Sequence, residues 1–190
     1  MGVTRTIDYK GIPTMQAVGA FDTFSNFFKE EKFEIIIEIG TAFGGLSTFL
    51  YEQSLIYKFK FITYDKFSDR LLEKIPNPEF EFRNIDCFSE NGKQEIIEAL
   101  LSKKTLLLCD GGNKKNEFNL FSEYIQHGSY IMAHDYSPDR EYFEKEVRGK
   151  IWNWFEISDE DVSESLINYV EKSNYYDEFL EVVWLSCVKK

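Results

Sequence analysis

The sequence is poor in cysteine, has no run of basic residues and contains no long apolar segment. Its cysteines, Cys87, Cys109 and Cys187, are odd in number and far apart, so they predict neither a disulfide framework nor a thiolate metal site. We expect them to be reduced core residues of a cytoplasmic protein. The formal net charge of −11 disfavours free nucleic acid and anionic membranes as partners. No apolar run is long enough to span a bilayer. We therefore expect a small-molecule substrate, and the sequence leaves open whether the chain forms a homo-oligomer.

The chain has the length and composition of one globular domain, residues 1–190. It is 43% hydrophobic, which is enough to bury a sizeable core, and it carries no repeat, low-complexity stretch or linker. Residues 1–13 lack periodicity and predict an N-terminal arm that folds over the site. Residues 14–136 predict a cofactor-binding core, and residues 137–190 predict substrate-side elements and a last strand.

Apolar and alternating segments predict five strands that alternate with helices. These strands are expected at about residues 35–39, 58–64, 79–83, 105–109 and 129–133. Strands that alternate with helices pack as a parallel sheet with right-handed crossovers. The sequence therefore predicts an α/β fold, a Rossmann-like, doubly wound, mostly parallel sheet of about seven strands with helices on both faces.

Further elements are predicted before and after these five strands. Thr14 is typical of a helix cap, and the apolar spacing over residues 15–28 predicts the first helix. Residues 151–155 predict a short strand or an aromatic lid. We expect a helix from residue 158 to about residue 172 and a last strand over residues 179–188.

A glycine-rich turn follows the first of the five strands. It lacks the lysine of a phosphate-binding loop, because Leu46 occupies that position. It also lacks the middle glycine of a dinucleotide fingerprint, where Ala42 stands. What remains is an acid, one residue, a glycine, three residues and a second glycine: Glu38, Gly40 and Gly44. Glycines here let the backbone bend sharply and leave the amides of the next helix free to face a ligand.

Acidic residues lie at or just past the carboxyl ends of all five predicted strands. They are Glu38, Asp65, Asp86, Asp110 and Asp135. Ligands of open α/β sheets bind beyond these strand ends, near the point where the strand order reverses. Because chance would scatter the acids of an acidic chain more evenly, the row indicates a binding site.

The last two acids of the row predict reaction chemistry. If their strands are neighbours, Asp110 and Asp135 lie about 4.8 Å apart along the sheet, close enough for one cation to bridge them. With His134 they form an oxygen-rich ligand set that suits Mg²⁺ or Mn²⁺. The alternative is a metal-free base, His134, oriented by Asp110 or Asp135.

Three motifs together resemble a known family. They are Glu38-Ile39-Gly40-Thr41-Ala42-Phe43-Gly44-Gly45, Cys109-Asp110-Gly111-Gly112 and Ile131-Met132-Ala133-His134-Asp135. Residues 33–136, which carry them, resemble class I S-adenosylmethionine-dependent methyltransferases. Within that class they resemble the metal-dependent small-molecule O-methyltransferases related to the macrocin O-methyltransferase and cephalosporin hydroxylase-like group. The resemblance implies in-line transfer of a methyl group from S-adenosylmethionine to a hydroxyl of a small metabolite or sugar.

The resemblance also implies roles for individual residues. The implied cofactor-binding residues are Glu38, Gly40, Thr41, Ala42, Gly44, Asp65, Asp86, Cys87 and Asp110. The implied catalytic residues, which are also the implied ligands of Mg²⁺ or Mn²⁺, are Asp110, His134 and Asp135.

The chain departs from this group after its fourth predicted strand. A histidine often follows the Asp-Gly pair in the group, whereas Asn113, Lys114 and Lys115 follow it here. We favour solvated lysines; the alternative is that one of them holds an acidic group of the substrate. Trp152 and Trp154, with the N-terminal arm, either cover the substrate or belong to the core.

Two other functions stay open. One is an NAD-type oxidoreductase, against which Ala42 and the wide spacing of the two motif glycines count. The other is a non-catalytic module that binds a cofactor or a partner protein.

Overall fold

The computed structural model describes residues 7–190 and begins with a hairpin. Strands β1 (Ile7–Tyr9) and β2 (Ile12–Gln16) pair antiparallel. Both residues of the connecting turn, Lys10 and Gly11, have positive φ, which suits a tight two-residue hairpin. Of the predicted arm, residues 1–6 lie outside the described part of the chain.

The predicted start of the first helix is wrong. Helix α1 covers Ala20–Glu30, and Thr14 lies in β2, where its hydroxyl donates to the carbonyl of Ile7. The cap position of the helix is Gly19, with φ 97°. Pairing between the two hairpin strands therefore overrides the helical spacing that precedes residue 20.

The remaining elements alternate as the sequence predicts. The strands are β3 (Ile35–Ile39), β4 (Lys60–Asp65), β5 (Glu81–Asn84), β6 (Thr105–Cys109), β7 (Tyr130–Ala133), β8 (Val170–Lys172) and β9 (Leu185–Lys189). The helices are α2 (Gly45–Tyr57), α3 (Asp69–Lys74), α4 (Glu90–Ser102), α5 (Lys114–Phe121), α6 (Arg140–Tyr142), α7 (Ser163–Asn168) and α8 (Tyr176–Leu180). Single turns of 3₁₀ helix cover Ser122–Tyr124 and Glu160–Val162, and a π-helical turn covers Phe143–Val147.

These strands form a seven-stranded mixed sheet in the order β5-β4-β3-β6-β7-β9-β8. The five predicted strands pair in parallel, and β8 and β9 join antiparallel beside β7. The predicted Rossmann-like, doubly wound, mostly parallel sheet of about seven strands is confirmed.

The sheet is covered on both faces, as its central strands require. Along β3, Ile36 packs in a cluster with α1 and α2, whereas Ile37 packs in a second cluster with α4 and α5. Alternate side chains of a strand point to opposite faces, so a strand buried on both faces is apolar throughout. This explains why β3 and β6 are continuous apolar runs apart from Glu38 and Thr105.

The C-terminal predictions are correct only in part. The helix predicted to reach residue 172 ends at Asn168, because residues 170–172 form β8. The strand predicted over residues 179–188 begins as α8, and only its last part is β9. Residues 151–155 form no regular strand, since Trp152 makes one isolated bridge and is buried, and the lid alternative stays a prediction.

Two further expectations can be compared with the structure. All three cysteines are buried free thiols, as predicted. Within residues 7–190, no helix has the length and apolar character that a membrane span requires. The cytoplasmic location stays a prediction.

Candidate active site

The strand order places the glycine turn and the predicted acids on one side of the sheet, at the carboxyl ends of its parallel strands. The chain runs from β3 outward to β5 and then returns to β6 and β7 on the other side, so the order reverses between β3 and β6. A cavity of about 560 Å³ lies at these strand ends. The predicted site residues that line it are Gly40, Thr41, Ala42, Asp65, Asp86, Cys87, Asp110, His134 and Asp135. Glu38 and Gly44 were also predicted as cofactor-binding residues, but the structure places them behind this lining.

The turn after β3 brings the backbone against the neighbouring strand end. Gly40 has φ 99°, and a Cβ atom there would lie 2.2 Å from the carbonyl oxygen of Asp110. Gly44 has φ 84°, and a Cβ there would lie 2.5 Å from the side chain of Leu71. A side chain at residue 40 would clash with backbone, and at both positions the positive φ favours glycine, which explains the spacing of the motif. Ala42, also at positive φ, faces the cavity.

Glu38 connects the strand before the turn to α2 and β4 through hydrogen bonds. Its side chain is fully buried, and its Oε2 atom accepts hydrogen bonds from Ser47 at the start of α2 and from Thr63 of β4 at 2.6 Å. Its Oε1 atom is buried without a partner among the described residues. Burial raises the pKa of Glu38 to about 8, although the hydroxyls of Ser47 and Thr63 oppose this change.

Asp65 and Asp86 line the half of the cavity beyond β4 and β5. The Oδ2 atom of Asp65 accepts from the backbone N–H of Ala42 at 2.9 Å, so this acid orients the glycine turn. Asp86 accepts from the N–H of Phe88 at 2.9 Å. Cys87, between them and the core, is buried, and burial raises the pKa of its thiol to about 12. This thiol therefore stays protonated and unreactive at neutral pH.

Asp110 and His134 line the other half of the cavity, beyond β6 and β7. The Oδ1 atom of Asp110 lies 3.0 Å from the Nδ1 atom of His134, and its Oδ2 atom accepts from the side-chain amide of Gln16 at 2.8 Å. His134 is buried beside the rings of Trp152 and Trp184. Burial alone lowers the pKa of His134, but the charges of Asp110 and Asp135 more than offset it, so the pKa is raised. No described residue pairs with its Nε2 atom.

Asp110 and Asp135 lie just past the ends of the neighbouring strands β6 and β7, as predicted, and a lysine lies against both. The Lys114 Nζ atom is 3.0 Å from Asp135 Oδ2, 3.8 Å from Asp110 Oδ1 and 2.9 Å from Glu156 Oε2. Its side chain is only 7% exposed, so the expectation that this lysine is solvated is wrong. Burial lowers the pKa of Lys114, but the three carboxylates outweigh it and raise the pKa above its usual range. Lys115 is 45% exposed and pairs with Asp161 at 2.8 Å.

The predicted ligands of Mg²⁺ or Mn²⁺ come together, but with protein donors on their oxygens. Asp135, whose φ is 57°, accepts from the indole N–H of Trp152 through Oδ1 and faces Lys114 through Oδ2. Among residues 7–190, no group of three or more His, Cys, Asp or Glu side chains is arranged to hold a metal ion. The site residues as they stand do not fit a divalent ion.

Several residues at this site were missed by the sequence analysis. They are Gln16, Phe67, Arg70, Glu117, Glu156 and Trp184. Glu117 accepts from the N–H groups of Gly111 and Asn113 at 3.1 Å and so fixes the turn after β6. The sequence does contain a signal for this role, because Glu117 is an acid in the first turn of α5, where backbone N–H groups are free to donate to it. Gln16 and Glu156 reach the site from distant segments, and no local pattern marks them.

The two tryptophans that were predicted either to cover the substrate or to belong to the core differ in their exposure. Both line the cavity, but Trp152 is buried and donates to Asp135, whereas Trp154 is 48% exposed. The hairpin contributes Pro13, Thr14 and Met15 to the lining. The described part of the predicted arm therefore borders the cavity through Pro13.

No protein-family model and no curated protein matches the chain. Solved structures are similar to it at low sequence identity. CmcI-N160 in its apo form has a TM-score of 0.69 and 11% identity, and the match covers 96% of this chain and 76% of that one. CmcI-D160 with Mg and SAM has a TM-score of 0.66 and 12% identity, covering 97% and 76%. A Staphylococcus aureus protein assigned as a caffeoyl-CoA O-methyltransferase has a TM-score of 0.57 and 14% identity, covering 95% and 87%. The chain thus has the fold of class I S-adenosylmethionine-dependent methyltransferases.

Proposed function

We propose that this protein is an S-adenosylmethionine-dependent methyltransferase that methylates a hydroxyl of a small metabolite or sugar. The observation that carries the proposal is that one continuous cavity joins the glycine turn of β3 to the Asp110–His134 pair. A donor bound at the turn and an acceptor bound at the pair then lie in the same space, as in-line transfer needs. The similar fold of methyltransferases whose structures contain SAM or SAH supports this proposal.

The residues around the turn fit this cofactor. Gly40, without a Cβ, lets a ligand and the Asp110 backbone approach the same point, and the unpartnered Oε1 of Glu38 lies below the turn. Asp65 and Asp86 stand at successive strand ends, where acids accept from ribose hydroxyls and adenine amino groups. Gly40, Thr41, Asp65 and Asp86 would hold the cofactor.

When bound, S-adenosylmethionine supplies a methyl group on a positively charged sulfonium. The acids at the cavity favour a cationic ligand over an anionic one of the same size. Trp154 offers an exposed ring at the cavity wall, which suits the flat, partly apolar face of a sugar or an aromatic metabolite. No divalent ion enters the proposed reaction, because Lys114 already lies against the carboxylates that would bind one.

We assign the proton of the acceptor hydroxyl to His134. Asp110 holds the Nδ1–H of the imidazole, and this fixes the tautomer in which Nε2 is the acceptor. Nε2 is buried and has no partner among the described residues, so a hydroxyl that reaches it from the cavity can transfer its proton there once the imidazole is neutral, above its raised pKa. Asp135 and Trp152 pack beside the ring and keep it in place.

Calorimetric titration with S-adenosylmethionine and S-adenosylhomocysteine tests the cofactor assignment. We expect both to bind the wild type, and Asp86→Ala to weaken binding by about tenfold through loss of one hydrogen bond to a charged group. Asp69→Ala is the matched control, because Asp69 is an exposed acid in α3 that is not among the residues lining the cavity. Absence of binding to the wild type would rule out the proposal, and binding of NAD instead would support the oxidoreductase alternative.

Turnover on a library of hydroxylated metabolites separates an enzyme from a non-catalytic module. For any acceptor found, His134→Asn should lower kcat by about 10²-fold or more and leave the affinity for S-adenosylhomocysteine unchanged. A cofactor-binding protein without turnover on any hydroxylated compound would instead support the module.

A further inference from the structure

The side chain of Lys114 lies where a cation would bridge the ends of β6 and β7. An ammonium group has three N–H donors. Three oxygens lie within 3.0 Å of Nζ: the carbonyl oxygen of Gly111, Oε2 of Glu156 and Oδ2 of Asp135. Every donor of the ammonium therefore has a protein acceptor. This arrangement leaves no donor of Lys114 for an acidic group of the substrate, which was the alternative role considered for it.

The position of Lys114 is fixed from its backbone as well. Its own N–H, in the first turn of α5, donates to Oε1 of Glu156 at 2.9 Å. Glu156 thus contacts both ends of the same lysine, and its N–H donates to the carbonyl of Asp135 at 3.0 Å. The lysine, the loop that carries Glu156 and the end of β7 form one connected unit.

Each oxygen of Asp110 and Asp135 already has a protein donor, and among these donors the ammonium of Lys114 carries the permanent positive charge that repels a metal ion. Both carboxylate oxygens of Asp110 face protein nitrogens, from Gln16 and His134. Both oxygens of Asp135 do so too, from Trp152 and Lys114. A divalent cation needs several such oxygens at once, and it would also lie within a few ångströms of a buried positive charge. Binding it would require displacement of the ammonium.

We propose that Lys114 is a built-in cation that takes the place of a divalent metal between Asp110 and Asp135. Its role is that of a positioning residue: it neutralises the paired carboxylates and keeps the ends of β6 and β7 together. As part of a methyl transfer this role rests on the proposed function, whereas its consequence for metal binding does not depend on it. The chain is thereby a metal-independent member of a fold in which the CmcI-D160 structure holds Mg with SAM.

Titration with Mn²⁺, followed by the electron paramagnetic resonance signal of the free ion, tests the proposal. We expect the wild type to bind no Mn²⁺ at this site. Lys114→Met keeps the length of the side chain and removes its charge, so we expect it to bind one Mn²⁺ with a Kd at least about tenfold below the highest Mn²⁺ concentration at which the wild type shows no binding. Binding should disappear again in the double variant Lys114→Met/Asp135→Asn. Lys115→Met is the matched control, because Lys115 is its half-exposed neighbour and pairs with Asp161 instead.

If Lys114→Met fails to fold, Mn²⁺ titration of the wild type still tests the proposal. Stoichiometric binding of Mn²⁺ to the wild type that Asp135→Asn abolishes would overturn the proposal. A folded Lys114→Met variant, checked by circular dichroism, that binds no more Mn²⁺ than the wild type would overturn it as well. Calorimetry with S-adenosylhomocysteine on the same samples reports on the proposed function separately, since a wild type that binds this compound and Mn²⁺ loses only the present proposal.

Discussion

We expect the unfolding free energy of the protein to depend on pH because of Glu38. The pKa of this fully buried acid is raised from 4.5 to about 8, chiefly by burial. Between these two pH values the folded state keeps a proton that the unfolded state has released. Stability from this group is therefore present below about pH 4.5 and is lost as the pH rises toward 8.

The size of the effect follows from the two pKa values. The gap between 4.5 and about 8 corresponds to about 5 kcal/mol of unfolding free energy at ~1.36 kcal/mol for each pH unit. Because Glu38 has no solvent exposure, water does not screen this effect. A loss of this size is a large part of the stability of a typical domain.

Glu38→Gln removes the titration and keeps the shape of the side chain. An amide oxygen still accepts from Ser47 and Thr63, and the buried amide nitrogen adds a cost of about 1–3 kcal/mol that does not vary with pH. Urea unfolding between about pH 5 and pH 8 should therefore show the variant gaining stability relative to the wild type as the pH rises.

The matched control is Glu141→Gln, which removes an exposed carboxylate in α6. It should track the wild type over the same pH range. A difference between wild type and Glu38→Gln that stays constant with pH would refute the reasoning, as would one that grows in favour of the wild type. The second result would mean that Glu38 is ionised in the folded protein.

Two further predictions concern packing. Gly40→Ala should lower the unfolding free energy by more than about 3 kcal/mol in urea unfolding, because the new Cβ would lie 2.2 Å from the carbonyl of Asp110. Gly128→Ala, with φ 76° and open space around it, should cost only the backbone strain of about 1–2 kcal/mol, and equal losses at the two sites would contradict the steric argument. Phe24→Ala should cost about 3–5 kcal/mol in the same assay, since its ring is fully buried against Phe179 and Trp184. Ile167→Ala, 71% exposed, should stay within about 0.5 kcal/mol of the wild type.

The sequence predicted the central sheet well because its signals are local. The strand at residues 105–109 and the acid that follows it can be read from adjacent residues, whereas the place of this strand between β3 and β7 comes from the structure. The same holds for the strand ends that carry Asp65, Asp86 and Asp135. Their convergence at one cavity needed no more than a parallel strand arrangement.

The predictions failed where distant segments decide the structure. Residues 170–172 are a strand only because β9 pairs with them, and the helical pattern before them gives no sign of this pairing. The environment of Lys114 depends on Glu156, and that of Asp110 depends on Gln16, both far along the chain. No motif in a single sequence places such residues together, so a lysine read as solvated turned out to be buried.

The antiparallel strand β9 has a consequence for how the chain folds. It lies between β7 and β8, so Tyr130 pairs with Val188 across a long stretch of intervening chain. Closing such a loop costs entropy before any pairing is gained, so this part of the sheet is expected to form slowly. Until residues 185–189 dock, the apolar strand β7 presents an open row of N–H and C=O groups to other chains. A partly folded molecule is therefore most vulnerable to aggregation at the outer edge of β7, next to the residues proposed for catalysis.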